Sequence, residues 1–186
     1  MRFLVAFVFL ISWSAHAAET VTWETLAPAS GAAMIKPQGA MAGAPDRSTF
    51  DGSDEEWKLF LEDLTFMKEM QPQGGFLNSQ LDGRQVRIAG YITPVGFDGE
   101  DVTEFLFVPF LGACIHVPPP DANQIIHVTD AKGVTVDGMW EPAWLTGTLK
   151  VKPSATVLAD VGYRMEGGVI TTWDGDDLPG ETVQIH

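Results

Sequence analysis

Residues 84–93 read RQVRIAGYIT, and this stretch decides the fold class. Val86, Ile88 and Ile92 alternate with less apolar side chains, which is the period of a half-buried β-strand. Gly90 interrupts the run and predicts a bulge or a bend, which small barrels need where a strand changes direction. The stretch therefore indicates a β fold with a sharply curved sheet.

Further strands are predicted downstream, and no second long helix is. Residues 104–110 are apolar on both faces, which predicts a central strand. Further short strands are predicted at 124–129, 143–151, 161–166 and 169–173, with a hairpin turn at Gly167-Gly168. We therefore predict a mainly β fold, a small OB-like partly closed barrel, with a flat sandwich as the alternative.

One amphipathic helix precedes the strands. Asp51 or Ser53 can cap its N-terminus, and Gln71-Pro72 and Gly74-Gly75 end it. The apolar residues between these signals are spaced as one buried helix face. They are Trp57, Phe60, Leu61, Leu64 and Met67.

The N-terminal residues predict an exported protein. Residues 1–17 contain one basic residue, a short apolar run and an Ala-His-Ala site, which is typical of a signal peptide cut after Ala17. Residues 18–52 are rich in Ala, Gly and Pro and predict a flexible lead-in, of which Val21–Leu26 can dock on the domain. Residues 53–186 are expected to form one helix-plus-barrel domain, soluble in the periplasm and not inserted in the membrane.

Composition excludes several functional classes. The 186 residues carry 25 Asp and Glu against 11 Lys and Arg, a formal net charge of −14, which argues against nucleic acid as a partner. A single Cys excludes an internal disulfide and a multi-thiolate zinc finger. The chain has no Gly-rich phosphate loop and no G-x-S-x-G or H-E-x-x-H motif, which favours a protein that is not an enzyme.

Residues 110–124, FLGACIHVPPPDANQ, concentrate the chemically reactive side chains. In an extended backbone Cys114 and His116 would point the same way, and Pro118–Pro120 would stiffen the segment after them. His127 lies in the next predicted strand, which can bring it back beside Cys114 and His116. One sulfur and two nitrogens suit zinc or copper, although C-x-H is shorter than the usual zinc spacing.

Residues from about Gly75 to Asp174 resemble an exported bacterial family known as domain of unknown function 3299. The resemblance rests on LDGRQVRIAGYITP at 81–94, EFLFVPFLGACIHVPPP at 104–120, Asn123-Gln124, and WLTGTLK at 144–150. It implies export and, more remotely, an accessory role beside inner-membrane ABC-type transporters or in metal uptake. The family brings no established activity.

Several functions fit this loop. The first is a periplasmic accessory or binding protein that holds zinc or copper through Cys114, His116 and His127. A fourth ligand would come from nearby side chains, namely Asp121, Asp130, Glu141 or Met139.

The alternative is a protein-docking module for an inner-membrane transporter, in which the Cys/His loop is purely structural. Its partner surface would be Pro118, Pro119, Pro120, Asn123 and Gln124, with Phe110, Trp140 and Trp144 adding apolar area. These tryptophans, with Trp173, can equally serve as core caps of the barrel. A thiol-dependent enzyme, with Cys114 paired to a histidine, is the third hypothesis.

Overall fold

A computed structural model describes residues 17–28, 54–72, 75–132, 134–135, 138 and 140–175. The predicted signal peptide, apart from its last residue, and residues 29–52 of the predicted lead-in lie outside these ranges, as does residue 53 at the start of the predicted domain. No helix within them has both the length and the apolar character needed to cross a bilayer.

The described residues form a mainly β fold with few helices, as predicted. The helices are α1 (Trp23–Leu26) and α2 (Asp54–Glu69), with single 3₁₀ turns at Ser79–Leu81 and Ala122–Gln124. The strands are β1 (Glu19–Thr20), β2 (Gln85–Asp98), β3 (Asp101–Val108), β4 (Ile126–Thr129), β5 (Ala143–Thr148), β6 (Lys150–Ala155), β7 (Asp160–Glu166) and β8 (Val169–Thr172). The single strand predicted at 143–151 is thus two strands.

Strand β2 organises the sheet because it belongs to two ladders. Residues 85–90 pair antiparallel with β5, and residues 91–98 pair antiparallel with β3. Gly90 lies where the partner changes, and a Cβ there would be 2.6 Å from the Val108 carbonyl oxygen. The sequence predicts a bulge or a bend at Gly90. The register shifts of β2 instead lie further along the strand, between Pro94 and Phe97.

The strands follow the order β6-β7-β4-β3-β2-β5-β8, with β1 paired parallel to β2. Across the described residues this sheet is open, with β6 and β8 at its ends, so the OB-like closure is not confirmed. The predicted hairpin at Gly167-Gly168 is wrong, because β7 pairs with β4 and β6 whereas β8 pairs with β5. The turn instead carries the chain from β7, next to one end of the sheet, to β8 at the other end.

Both faces of the central strand β3 are buried, as its sequence predicts. Phe105 and Phe107 belong to the larger core cluster, which also contains buried residues of β2, β4, β5 and β7. Leu106 and Val108 belong to a second cluster on the other face, together with Leu64 of α2 and Cys114. The loop with the candidate site therefore packs on this second face.

The N-terminal segment docks on the domain through α1. Trp23 is buried and its indole Nε1 donates to the Ala89 carbonyl at 2.8 Å. The buried Tyr163 hydroxyl donates to the Leu26 carbonyl at 2.6 Å. The docking expected for Val21–Leu26 is therefore confirmed.

Helix α2 covers the second face, as its periodicity predicts. Leu64 and Met67 are buried, and Lys68 forms an ion pair with Asp160 at 3.5 Å. The side chains of Trp57, Phe60 and Leu61, predicted on the same face, lie outside the described part.

Candidate functional site

We call residues 109–121, between β3 and the 3₁₀ turn at Ala122–Gln124, the Cys114 loop. Around Cys114 this loop forms a tight turn and not the extended segment that the sequence predicts. The amides of His116 and Val117 both donate to the Gly112 carbonyl, at 2.9 and 3.2 Å, and the Cys114 amide donates to the Val117 carbonyl. Gly112 and Cys114 have positive φ values of 81° and 71°. Because the backbone is not extended here, the i and i+2 argument for a shared Cys114–His116 face fails.

The Cys114 thiol is sealed inside the protein. The residue has no exposed surface and packs in the apolar cluster with Leu106 and Val108. Burial raises the thiol pKa from its ordinary 9.0 to about 12. The sulfur is therefore a protonated thiol at neutral pH, shielded from solvent by the side chains around it.

Because the folded-state pKa is the higher one, Cys114 should make stability depend on alkaline pH. Its contribution is full below pH 9.0 and is lost as pH rises toward 12, since the unfolded chain then releases a proton that the folded chain keeps. At about pH 10 we expect a loss of about 1 kcal/mol in the free energy of unfolding relative to Cys114→Ala, each referred to its own value at about pH 7. Denaturation curves at both pH values check this, and rapid thiol labelling of the folded protein would contradict the burial.

His116 lies at the surface of the turn. It is exposed, and its side chain passes beside Gly112, whose missing Cβ would be 3.5 Å from the His116 Cβ. The residue therefore differs from Cys114 in environment, although only one residue separates them.

His127 faces a carboxylate that sequence analysis missed. Its Nε2 lies 2.7 Å from Glu104 Oε1, whereas its buried Nδ1 has no hydrogen-bond partner. The antiparallel register pairs Leu106 with His127 and so brings Glu104 diagonally opposite it, on the same face. The available signal was a glutamate at the start of the apolar run 104–110.

The three predicted ligands are not gathered into a metal site. Among the described residues no group of three or more His, Cys, Asp and Glu side chains is arranged to hold a metal ion. Asp121, Asp130 and Glu141 are among the described residues, whereas Met139 is not. Zinc or copper binding therefore stays a prediction without geometric support.

The predicted partner surface is largely interior. Pro119 and Pro120 are buried, Asn123 and Gln124 are 1% and 9% exposed, and Pro118 is half-buried. The tryptophans predicted either to add to this surface or to cap the core differ in their exposure. Trp140 is half exposed, while Trp144 and Trp173 pack against each other with ring centroids 4.5 Å apart.

Gln71 fixes the loop to α2 and β7. Its Nε2 donates to the carbonyls of Pro120 and Asp160 at 2.9 and 2.8 Å, and its Oε1 accepts from the Asp160 amide at 2.7 Å. Gln71 is 3% exposed, so these bonds are shielded from water. The sequence indicated Gln71 only as part of a helix stop.

Helix α2 exposes large apolar side chains on the side away from the sheet. Leu59, Phe66 and Met70 are 51%, 54% and 43% exposed. Their spacing of seven and four residues places them along one line of a helix, whose last member directly follows α2. We call Leu59, Phe66 and Met70 the α2 apolar face.

Comparison with known proteins places the chain in a family. The family model described as a protein of unknown function (DUF3299) matches residues 23–172. This chain is similar to a DUF3299 family protein from Pseudomonas aeruginosa PAO1, whose crystal structure was determined at 2.45 Å resolution. The two share 35% sequence identity, and their structures superpose with a TM-score of 0.60. The alignment covers 86% of this chain and 99% of that one, whereas none of the curated proteins matches. The chain belongs to the DUF3299 family.

Proposed function

We propose that this protein is an exported accessory protein that docks on a partner protein through the α2 apolar face. The Cys114 loop has a structural role in this proposal, because it packs against α2 on the side that faces the sheet. The observation that carries the proposal is the exposure of three large apolar side chains on one line of one helix. The partner that we propose is a component of an inner-membrane transporter.

The exposure of these side chains supports docking because water disfavours contiguous apolar surface. Isolated apolar residues on a surface are ordinary, whereas aligned ones on a helix typically mark an interaction site. The opposite side of α2 buries Leu64 and Met67 in the protein's own structure. Helix α2 thus has two sets of apolar residues, one buried in the protein and one exposed. The exposed set, the α2 apolar face, has the spacing with which an amphipathic helix binds in a partner's groove.

The charge of α2 defines the chemistry of the partner. The helix sequence DEEWKLFLEDLTFMKE has six acidic residues and two lysines, which adds to the negative charge of the whole chain. A partner groove would therefore be apolar at its floor and basic at its rim. Such complementarity speeds encounter and excludes wrong partners more than it adds affinity.

The geometry of the loop supports its structural role in this proposal. Cys114 fills the apolar cluster, and the Thr93 hydroxyl donates to the Ala113 carbonyl at 2.8 Å. Gln71 joins the same loop to the end of α2. A loop held in this way can brace the helix that carries the docking face.

A pair of surface substitutions tests the proposal. Phe66→Ser should weaken partner binding by about 30-fold, the effect of losing about 2 kcal/mol at an interface anchor. Val157→Ser is the matched control, because Val157 is also apolar and 60% exposed but lies in the turn between β6 and β7. Co-purification from cells that contain the transporter, followed by titration of the purified partner, measures both variants.

Equal binding by the two variants would contradict the proposal. Self-association, measured by light scattering and lost in Phe66→Ser, would show that the α2 apolar face binds a second copy. Thermal unfolding of both variants should match the unsubstituted protein, since exposed substitutions usually change stability by less than about 0.5 kcal/mol.

A further inference from the structure

We propose that a basic groove at the ends of β4, β6 and β7 binds a small phosphate monoester that carries hydroxyl groups. The groove has a volume of about 480 Å³. The residues that line it are all of polar or charged type, namely Thr129, Asp130, Lys150, Lys152, Arg164 and Glu166. The proposal is independent of docking by α2.

The sheet places three cations together in this groove. Lys150 and Lys152 are two residues apart on β6, and Arg164 on β7 is the cross-strand partner of Lys150. Like charges directly opposite each other destabilise a sheet. A bound anion would offset this repulsion.

These cations lack the carboxylate partners that Lys68, Arg84 and Arg87 have. Lys68, Arg84 and Arg87 each form an ion pair, with Asp160, Glu19 and Asp174 respectively. In the ranges that the structure describes, no carboxylate oxygen lies within 4.0 Å of the charged nitrogens of the three groove cations. Their charge is therefore available to a ligand in a chain whose net charge is −14.

The lining selects the class of ligand. A guanidinium fork and two ammonium groups suit a phosphate, which Arg can bind through two parallel hydrogen bonds. Asp130 and Glu166 repel a bare anion but accept hydrogen bonds from hydroxyl groups, and Thr129 can donate or accept. The volume is within the usual range of about 300–1,000 Å³ for small-molecule sites.

Calorimetric titration of the purified protein with glycerol 3-phosphate tests the site. We expect a dissociation constant of about 1 mM or tighter, and a loss of about 10-fold or more in Arg164→Gln. Lys152→Gln should lose affinity similarly, and because Lys152 is exposed this variant will fold. Lys132→Gln removes the same charge from an exposed residue outside the groove lining and should stay within about two-fold.

Glycerol and succinate provide the remaining arms of the titration. Glycerol should not bind because it lacks the phosphate, and succinate should bind at least about 10-fold more weakly because it lacks the hydroxyl groups and the phosphate geometry. Absence of glycerol 3-phosphate binding would overturn the proposal. Equal losses in the Arg164, Lys152 and Lys132 variants would also overturn it, because they would indicate a general charge effect.

Discussion

Replacing Gln71 with alanine should lower the free energy of unfolding by about 3 kcal/mol, since three hydrogen bonds are lost at about 1 kcal/mol each. The substitution leaves the Asp160 amide and the carbonyls of Pro120 and Asp160 without this partner in a shielded position. An unpaired buried polar group costs more than the bond itself contributed. Urea denaturation, with a constant m-value, measures the loss.

Gln80→Ala is the matched control for this prediction. Gln80 is exposed, and the hydrogen bond that ties it locally uses its backbone amide and not its side chain. Its replacement should change stability by less than about 0.5 kcal/mol. If both variants lost the same stability, Gln71 would not hold α2 to the loop.

Replacing Gly90 with alanine should destabilise the fold by about 3 kcal/mol, the upper end of the cost of forcing an extra methyl into a packed core. The new Cβ would lie 2.6 Å from the Val108 carbonyl oxygen, 2.8 Å from the Phe107 ring and 2.9 Å from the Trp23 ring. The first contact is with backbone of the neighbouring strand, so it cannot be relieved by a side-chain rotation. The midpoint of urea denaturation reports the effect.

Gly138→Ala separates the steric effect from the loss of a glycine. The nearest atom to its new Cβ is Thr135 Oγ1 at 3.6 Å, an ordinary contact. This variant should keep the stability of the unsubstituted protein within about 1 kcal/mol. A Gly90→Ala protein as stable as Gly138→Ala would mean that the two ladders of β2 do not meet tightly at residue 90.

The sequence predicts the elements of this fold better than their arrangement. Alternating residues in β2 and the doubly apolar β3 identify strands, because a pleated backbone turns successive side chains to opposite faces. The same pattern carries no information on which strands pair across long distances. Hence the turn at Gly167-Gly168 resembled a hairpin, although β7 and β8 lie at different places in the sheet.

The candidate site was harder to predict because it depends on one backbone conformation. Cys114 adopts φ +71°, which residues other than glycine rarely do, so the sequence gives no sign that the backbone turns there. An extended backbone would have placed Cys114 and His116 together. The α2 apolar face was predictable, because Phe66 and Met70 lie opposite the periodic residues that were assigned to the core.

Site-specific photo-crosslinking tests most directly whether the protein acts through α2 or through the Cys114 loop. A photoreactive phenylalanine analogue replaces either Phe66 or His116, both exposed in the folded protein. Docking through α2 predicts an adduct with the transporter component from position 66 and none from position 116. An adduct from position 116 alone would contradict it and make the loop the binding site.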